Sequence, residues 1–67
     1  MNDPRRRLLT GREAAILAGV EPATIRDWVR RGELHPAASY PHTRTHLFLE
    51  IDVLLAERRI RHRRAVA

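Results

Sequence analysis

Two apolar-periodic segments separated by only "GVE" constrain this chain more than any other feature. The first, "TGREAAILA", opens on Thr10 and carries Glu13 three residues later, the reciprocal pattern of a capping box. Ala14, Leu17 and Ala18 share one helical face, and Gly19 can take the left-handed conformation that ends a helix. A helix is therefore expected near residues 11–18. The second segment begins at Pro22, whose missing N–H is harmless in a first helical turn. Ile25, Trp28 and Val29 recur at i, i+3 and i+4, Gly32 ends the helix, and Leu34 is placed to fold back onto the core. So short a link makes the two helices cross steeply, with Gly19 as the small residue of the turn and Val20 buried after it.

This arrangement leaves one side of the second helix without an internal partner. At about 100° per residue, Ala23, Arg26, Asp27 and Arg30 project away from the Ile25–Trp28 face. After Gly32 the helical period stops. In "ELHPAASYPHTRTHLFLE", "THLFL" suits a strand, "LHPAA" can pair with it as an edge strand, and "SYPHTR" reads as a polar hairpin tip. A hairpin after a helix-turn-helix is a wing. A last helix is expected over 50–61, with Glu50 and Asp52 at its positive end and Arg58, Arg59 and Arg61 toward its negative end. It carries two apolar stripes on nearly opposite sides, Ile51/Leu54/Leu55 and Val53/Ala56/Ile60, of which one should face the core. The expected fold is mostly α: a winged helix-turn-helix over 8–61, with three helices and a two-stranded β-hairpin wing. A flexible basic arm (1–7) precedes it and a basic tail (62–67) follows.

Charge narrows the function. Thirteen basic residues, all Arg, oppose eight acidic ones for a net charge of +5. A small basic domain points first to nucleic acid, and Arg forks onto phosphates and guanine edges as Lys cannot. Sixty-seven residues make one domain, too small to wall a catalytic cleft and with little stability to spare. No Gly-rich phosphate loop, carboxylate pair or Ser/His/Asp set stands out, so no enzyme and no cofactor are expected. There is no cysteine to staple the fold or to ligate a metal. His42 and His46 are four apart, but in a Pro-containing loop with no Cys or carboxylate between them, so no metal site is expected. No apolar run approaches the roughly 20 residues that span a bilayer, and no signal peptide is recognisable. The expected place is the cytoplasm, at the nucleoid.

The run "LLTGREAAILAGVEPATIRDWVRRGEL" resembles the opening of the MerR-type winged helix-turn-helix, T-x-x-E-A-A-x-x-A-G-V-x-x-x-T-I-R-x-W-x-x-x-G-x-L. The later "THLFLEIDVLLAE" is similar to that family's wing end and following helix, with Phe48 closing the wing and Asp52 and Val53 opening the helix. The resemblance covers roughly residues 8–57. Small single-domain members include BldC-like regulators and excisionases (recombination directionality factors). The long dimerisation helix and effector domain of larger members have no room here, so effector sensing is not expected. Three positions depart from the pattern. His46 stands where Arg is usual before the wing aromatic, Asp27 where an aromatic is common, and Leu49 where Ser or Thr usually caps the last helix.

The chemistry expected of the exposed face is duplex-DNA recognition, with the second helix in the major groove. Arg26 is assigned to a base edge or the adjoining phosphate, Arg30 to phosphate or a guanine, Ala23 to a thymine methyl and Thr24 to phosphate. Asp27 either accepts from cytosine N4 or orients Arg30 or Arg31, the second being favoured. Arg12 is placed to meet phosphate at the start of the first helix. In the wing, Tyr40, Thr43, Arg44 and His46 could reach phosphate or the minor groove, Arg44 being the best candidate for a narrow groove. The expected function is a small transcriptional regulator that binds specific double-stranded DNA as several copies on adjacent sites. Self-association would use Ile16 with Val53, Ala56 and Ile60. Two alternatives stand: an excisionase that bends DNA with an integrase as partner, and a basic module that docks on an acidic protein.

Overall fold

A computed structural model of the chain describes residues 7–43 and 45–66. Six elements follow one another: β1 (Leu8–Thr10), α1 (Gly11–Ala18), α2 (Pro22–Arg30), β2 (Ala38–Tyr40), β3 (Thr45–Leu49) and α3 (Glu50–Val66). The result is a mostly helical winged helix-turn-helix whose antiparallel sheet has the strand order β1-β3-β2. Of the arm expected over residues 1–7, only Arg7 lies within the described residues.

The helix ends follow from local chemistry. The Thr10 N–H donates to Glu13 Oε1 at 2.9 Å, and the Glu13 N–H donates to Thr10 Oγ1 at 3.1 Å. Both helices of the motif stop through left-handed glycines, Gly19 at φ 71° and Gly32 at φ 76°. At the first stop the Val20 N–H reaches back to the Ala15 carbonyl at 3.0 Å, and at the second the Glu33 N–H reaches the Trp28 carbonyl at 2.8 Å. Each satisfies carbonyls that the helix end would otherwise orphan. The second stop turns the chain so that Leu34 is buried beside Trp28 and Ile25.

In α1 the buried pair is Ala14 and Ala15, while Leu17, expected on the inner face, stays 38% exposed. The helix packs on both α2 and α3, so its buried face is centred between the two neighbours. Only small side chains fit there.

The sheet differs from the expected hairpin in two ways. β2 pairs with β3 through Ala38↔Leu47, Ser39↔His46 and Tyr40↔Thr45, so Ser39 and Tyr40 belong to a strand rather than to the tip. Leu34 takes the core position expected of it, and the edge strand begins only at Ala38, later than "LHPAA" suggests. The second difference is β1, an extra strand paired through Leu8↔Leu49, Leu9↔Phe48 and Thr10↔Leu47. The Glu50 N–H continues this pairing to the Arg7 carbonyl at 2.9 Å. Thr10 thus ends a strand and caps a helix at once, and Leu9 and Phe48 are carried together into the core.

α3 runs past the expected residue 61 to Val66. Val53 and Ala56 are fully buried, and Ile60 packs against the same core. Val53 and Ala56, expected to serve self-association with Ile60, are therefore closed to a second copy in the folded chain, and Ile60 is partly buried: that stripe is the core face. Small Val53 and Ala56 allow a close approach to Ala14 and Ala15, which a Leu54/Leu55 face would block. Leu54 and Leu55 remain 40% and 49% exposed, and Ile16 of α1 is 76% exposed. The nine buried core residues are all apolar, and among the described residues no buried side-chain polar atom lacks a partner.

Candidate nucleic-acid interface

α2 is anchored by its inner face. Ile25 is 1% exposed and Trp28 is 6% exposed, which turns Ala23, Arg26 and Arg30 to solvent. Glu21 occupies the cap position without a side-chain hydrogen bond to the helix; Pro22 brings no N–H, and the Thr24 N–H donates to the Glu21 carbonyl at 2.9 Å.

Asp27 is strapped to two guanidinium groups. Arg30 Nη2 donates to its Oδ1, and Arg31 Nε lies 3.0 Å from its Oδ2. The Arg side chains stay 79% and 68% exposed, so the straps set direction without hiding the cations. Pairs this open contribute about 0.2–1 kcal/mol to stability. Arg26 makes no ion pair among the described residues.

One open groove of about 520 Å³ runs between the two helices and the wing. Arg12 from α1, Arg26 and Val29 from α2, and Thr45 and His46 from β3 surround it, over Ile25 and Phe48. His46 is held to the strand by a 2.9 Å hydrogen bond between its Nδ1 and Ser39 Oγ, and its ring is tilted against Phe48 at a centroid distance of 6.2 Å. Ala23 and Arg30 share a shallower hollow of about 210 Å³ with Arg26 and Asp27. The structure thus brings Arg12, Arg26 and His46 to one groove and places Ala23, Asp27 and Arg30 next to it on α2.

The remaining expected residues lie elsewhere. Tyr40 is 55% exposed, and its carbonyl accepts the Thr43 N–H at 3.1 Å in the turn at the wing tip. Arg44 lies outside the described residues. Thr24 is half-buried and faces a second cleft on the opposite flank of α2, shared with Arg31, Arg63 and Arg64.

Three groups were not singled out from sequence, and a fourth, Arg31, was named only as a partner for Asp27. Thr45 precedes His46 on β3 and lines the first groove. Arg31, Arg63 and Arg64 line the second. A signal for the last two existed: no Gly or Pro follows Pro41, and Arg59 and Arg63 are one helical turn apart, so the helix had no reason to stop at 61. Arg63 and Arg59 are anchored on Glu33, just beyond the end of α2. Arg63 Nη2 donates to Glu33 Oε2 at 2.7 Å, and Arg59 Nη2 donates to the Glu33 carbonyl at 2.6 Å. The Arg63 hydrogen bond holds the Glu33 carboxyl below its ordinary pKa, helped by the nearby charges of Arg59 and Arg31. Glu13 is lowered too, chiefly by the Thr10 backbone N–H and then by its hydroxyl.

Among the described residues no group of three or more His, Cys, Asp or Glu side chains could hold a metal ion. No described helix is long and apolar enough to cross a membrane. Comparison with curated proteins and with solved structures finds no significant match. Residues 9–62 match the family described as MerR HTH family regulatory protein, over the same elements that build the motif, the wing and most of α3. The chain belongs to the MerR family of helix-turn-helix DNA-binding regulators.

Proposed function

We propose that this regulator reads specific double-stranded DNA with the exposed face of α2 in the major groove. The observation that carries the reading is the position of Arg26. It stands outward over a buried Ile25–Trp28 face, without an ion-pair partner among the described residues, beside Arg12 and His46. Arg26 contacts a base edge or its adjoining phosphate, Arg30 a phosphate or guanine, and Ala23 a thymine methyl. Thr24 and Arg12 bind phosphate. Asp27 directs Arg30 and Arg31, a role that its two ion pairs support. Tyr40, Thr43, Arg44 and His46 of the wing reach phosphate or the minor groove.

A nine-residue helix covers few base pairs, so useful specificity requires several copies on adjacent sites. Contacts between copies would use Ile16 and the Leu54/Leu55 side of α3, the apolar groups left in solvent. Mapping bound sites across the genome, followed by gel shifts on the recovered sequence with competitor DNA, tests the reading. Arg26→Ala should lose the preference for that sequence, at about 1–3 kcal/mol of discrimination. Specific binding untouched by Arg26→Ala would overturn the assignment.

A further inference from the structure

The groove of Arg12, Arg26 and His46 flanks α2 on one side only. On the other side lies a cleft of about 590 Å³ between α2 and the end of α3. Thr24 and Arg31 come from α2, and Arg63 and Arg64 come from α3, some thirty positions away in sequence. Sequence alone ends the last helix at residue 61 and leaves Arg63 and Arg64 in a basic tail. In the structure these residues are helical and tied back, with Arg63 and Arg59 both hydrogen-bonded to Glu33. Glu33 directly follows the glycine that ends α2, so the tie fixes the end of α3 relative to the recognition helix.

We infer that this second cleft is a built phosphate-binding site that grips the DNA strand on the far side of the major groove, with Glu33 as its positioning residue. The inference rests on the duplex-DNA reading above. A helix of about 10–12 Å diameter fills a groove about 12 Å wide, so both of its flanks face a sugar–phosphate wall. The first groove offers Arg12 and His46 to one wall. The second offers Arg64, which has no ion pair among the described residues; Arg31 also lines it, 68% exposed but paired to Asp27, whose carboxylate lies in the same cleft. Half-buried Thr24 also lines the cleft, and its hydroxyl adds a neutral donor. Glu33 is spent on Arg63 and Arg59, so its carboxylate organises the cations and its charge is offset before any phosphate arrives.

A loose tail and a built clamp respond to the same substitution with opposite sign. Glu33→Gln removes a negative charge and weakens the hold on Arg63, while the Arg59 bond to the backbone carbonyl remains. For a loose basic tail the loss of an anion strengthens DNA binding. For a positioned clamp it weakens binding, because Arg63 and Arg64 leave their register. The experiment measures full-length chain on a mixed-sequence duplex by fluorescence anisotropy between 50 and 200 mM salt. Wild type, Glu33→Gln, Arg64→Ala and the double variant are compared, with circular dichroism confirming equal helix content.

The expected result is an affinity about threefold lower for Glu33→Gln, with a salt slope shallower by about 0.9, the equivalent of one phosphate contact. In the Arg64→Ala background the same substitution should have little further effect. Binding by Glu33→Gln equal to or tighter than wild type overturns the clamp and leaves the α2 reading standing. So does an undiminished Glu33→Gln loss in the Arg64→Ala background. Failure of the wild type to bind the duplex at all removes the DNA reading itself.

Discussion

Asp27→Asn separates the two roles that the carboxylate can play. Asp27 holds Arg30 and Arg31 through exposed pairs on its own helix, spaced i,i+3 and i,i+4. Such pairs contribute about 0.3–0.5 kcal/mol each, so stability should fall by less than about 1 kcal/mol. With about 2.1 cal/mol/K of unfolding entropy per residue, 67 residues carry about 0.14 kcal/mol/K, and Tm should drop by no more than about 7 °C. The binding effect has the other sign. The substitution takes one negative charge off the face that meets DNA and releases two guanidinium groups. One added neutralised phosphate steepens the salt slope by about 0.9, or about 3.5-fold in affinity over a fourfold change in salt. Affinity for mixed-sequence duplex should therefore rise about threefold at low salt, while the gain on the preferred site is smaller because Arg30 has lost its direction. Anisotropy titrations of both duplexes across salt read this out directly. A loss confined to duplexes with cytosine at one position would show that Asp27 accepts from that base, and the orienting role would be refuted.

Other outcomes follow from the same contacts. Gly19→Ala places a Cβ at φ 71° and should cost about 1–2 kcal/mol, seen as a Tm lower by about 7–14 °C. Phe48→Ala removes a 2%-exposed ring between the wing and the helices and should cost about 3–5 kcal/mol; unfolding in urea at a far lower midpoint checks it. Glu13 and Glu33 both have folded-state pKa values below the ordinary 4.5. The stability they contribute is complete above that value and drains as pH falls through their lower folded values. A chain carrying Glu13→Gln and Glu33→Gln should show a smaller Tm difference between pH 6 and pH 3 than wild type. Ala56→Leu should overpack the face against α1 at about 1–3 kcal/mol, whereas Leu54→Ala should change Tm much less, in keeping with their burial.

The helix-turn-helix was legible because its signals are local. Thr10 with Glu13, Gly19, Pro22 and Gly32 act within one turn of where they stand, and the Ile25–Trp28 spacing selects the inner face of α2 without reference to the rest of the chain. The outward position of Arg26 follows from that same helical geometry. The wing was legible as a hairpin from "THLFL", but its partner strand was set by Leu34, which the core claims before the edge strand can.

Three features waited on the tertiary structure because they depend on distant residues. β1 is a three-residue strand with no period of its own, and it exists because Leu9 can join Phe48 nearly forty positions later. α3 carries two apolar stripes of similar strength, and Ala14 and Ala15 decide between them by admitting only the smaller one. The Arg-rich end becomes part of a cleft because Glu33 lies within reach of Arg59 and Arg63 only after α2 and α3 have docked. Periodicity and caps act over a few residues and are written into the chain; steric fit and ion pairing act across space, where only the assembled fold supplies the partner.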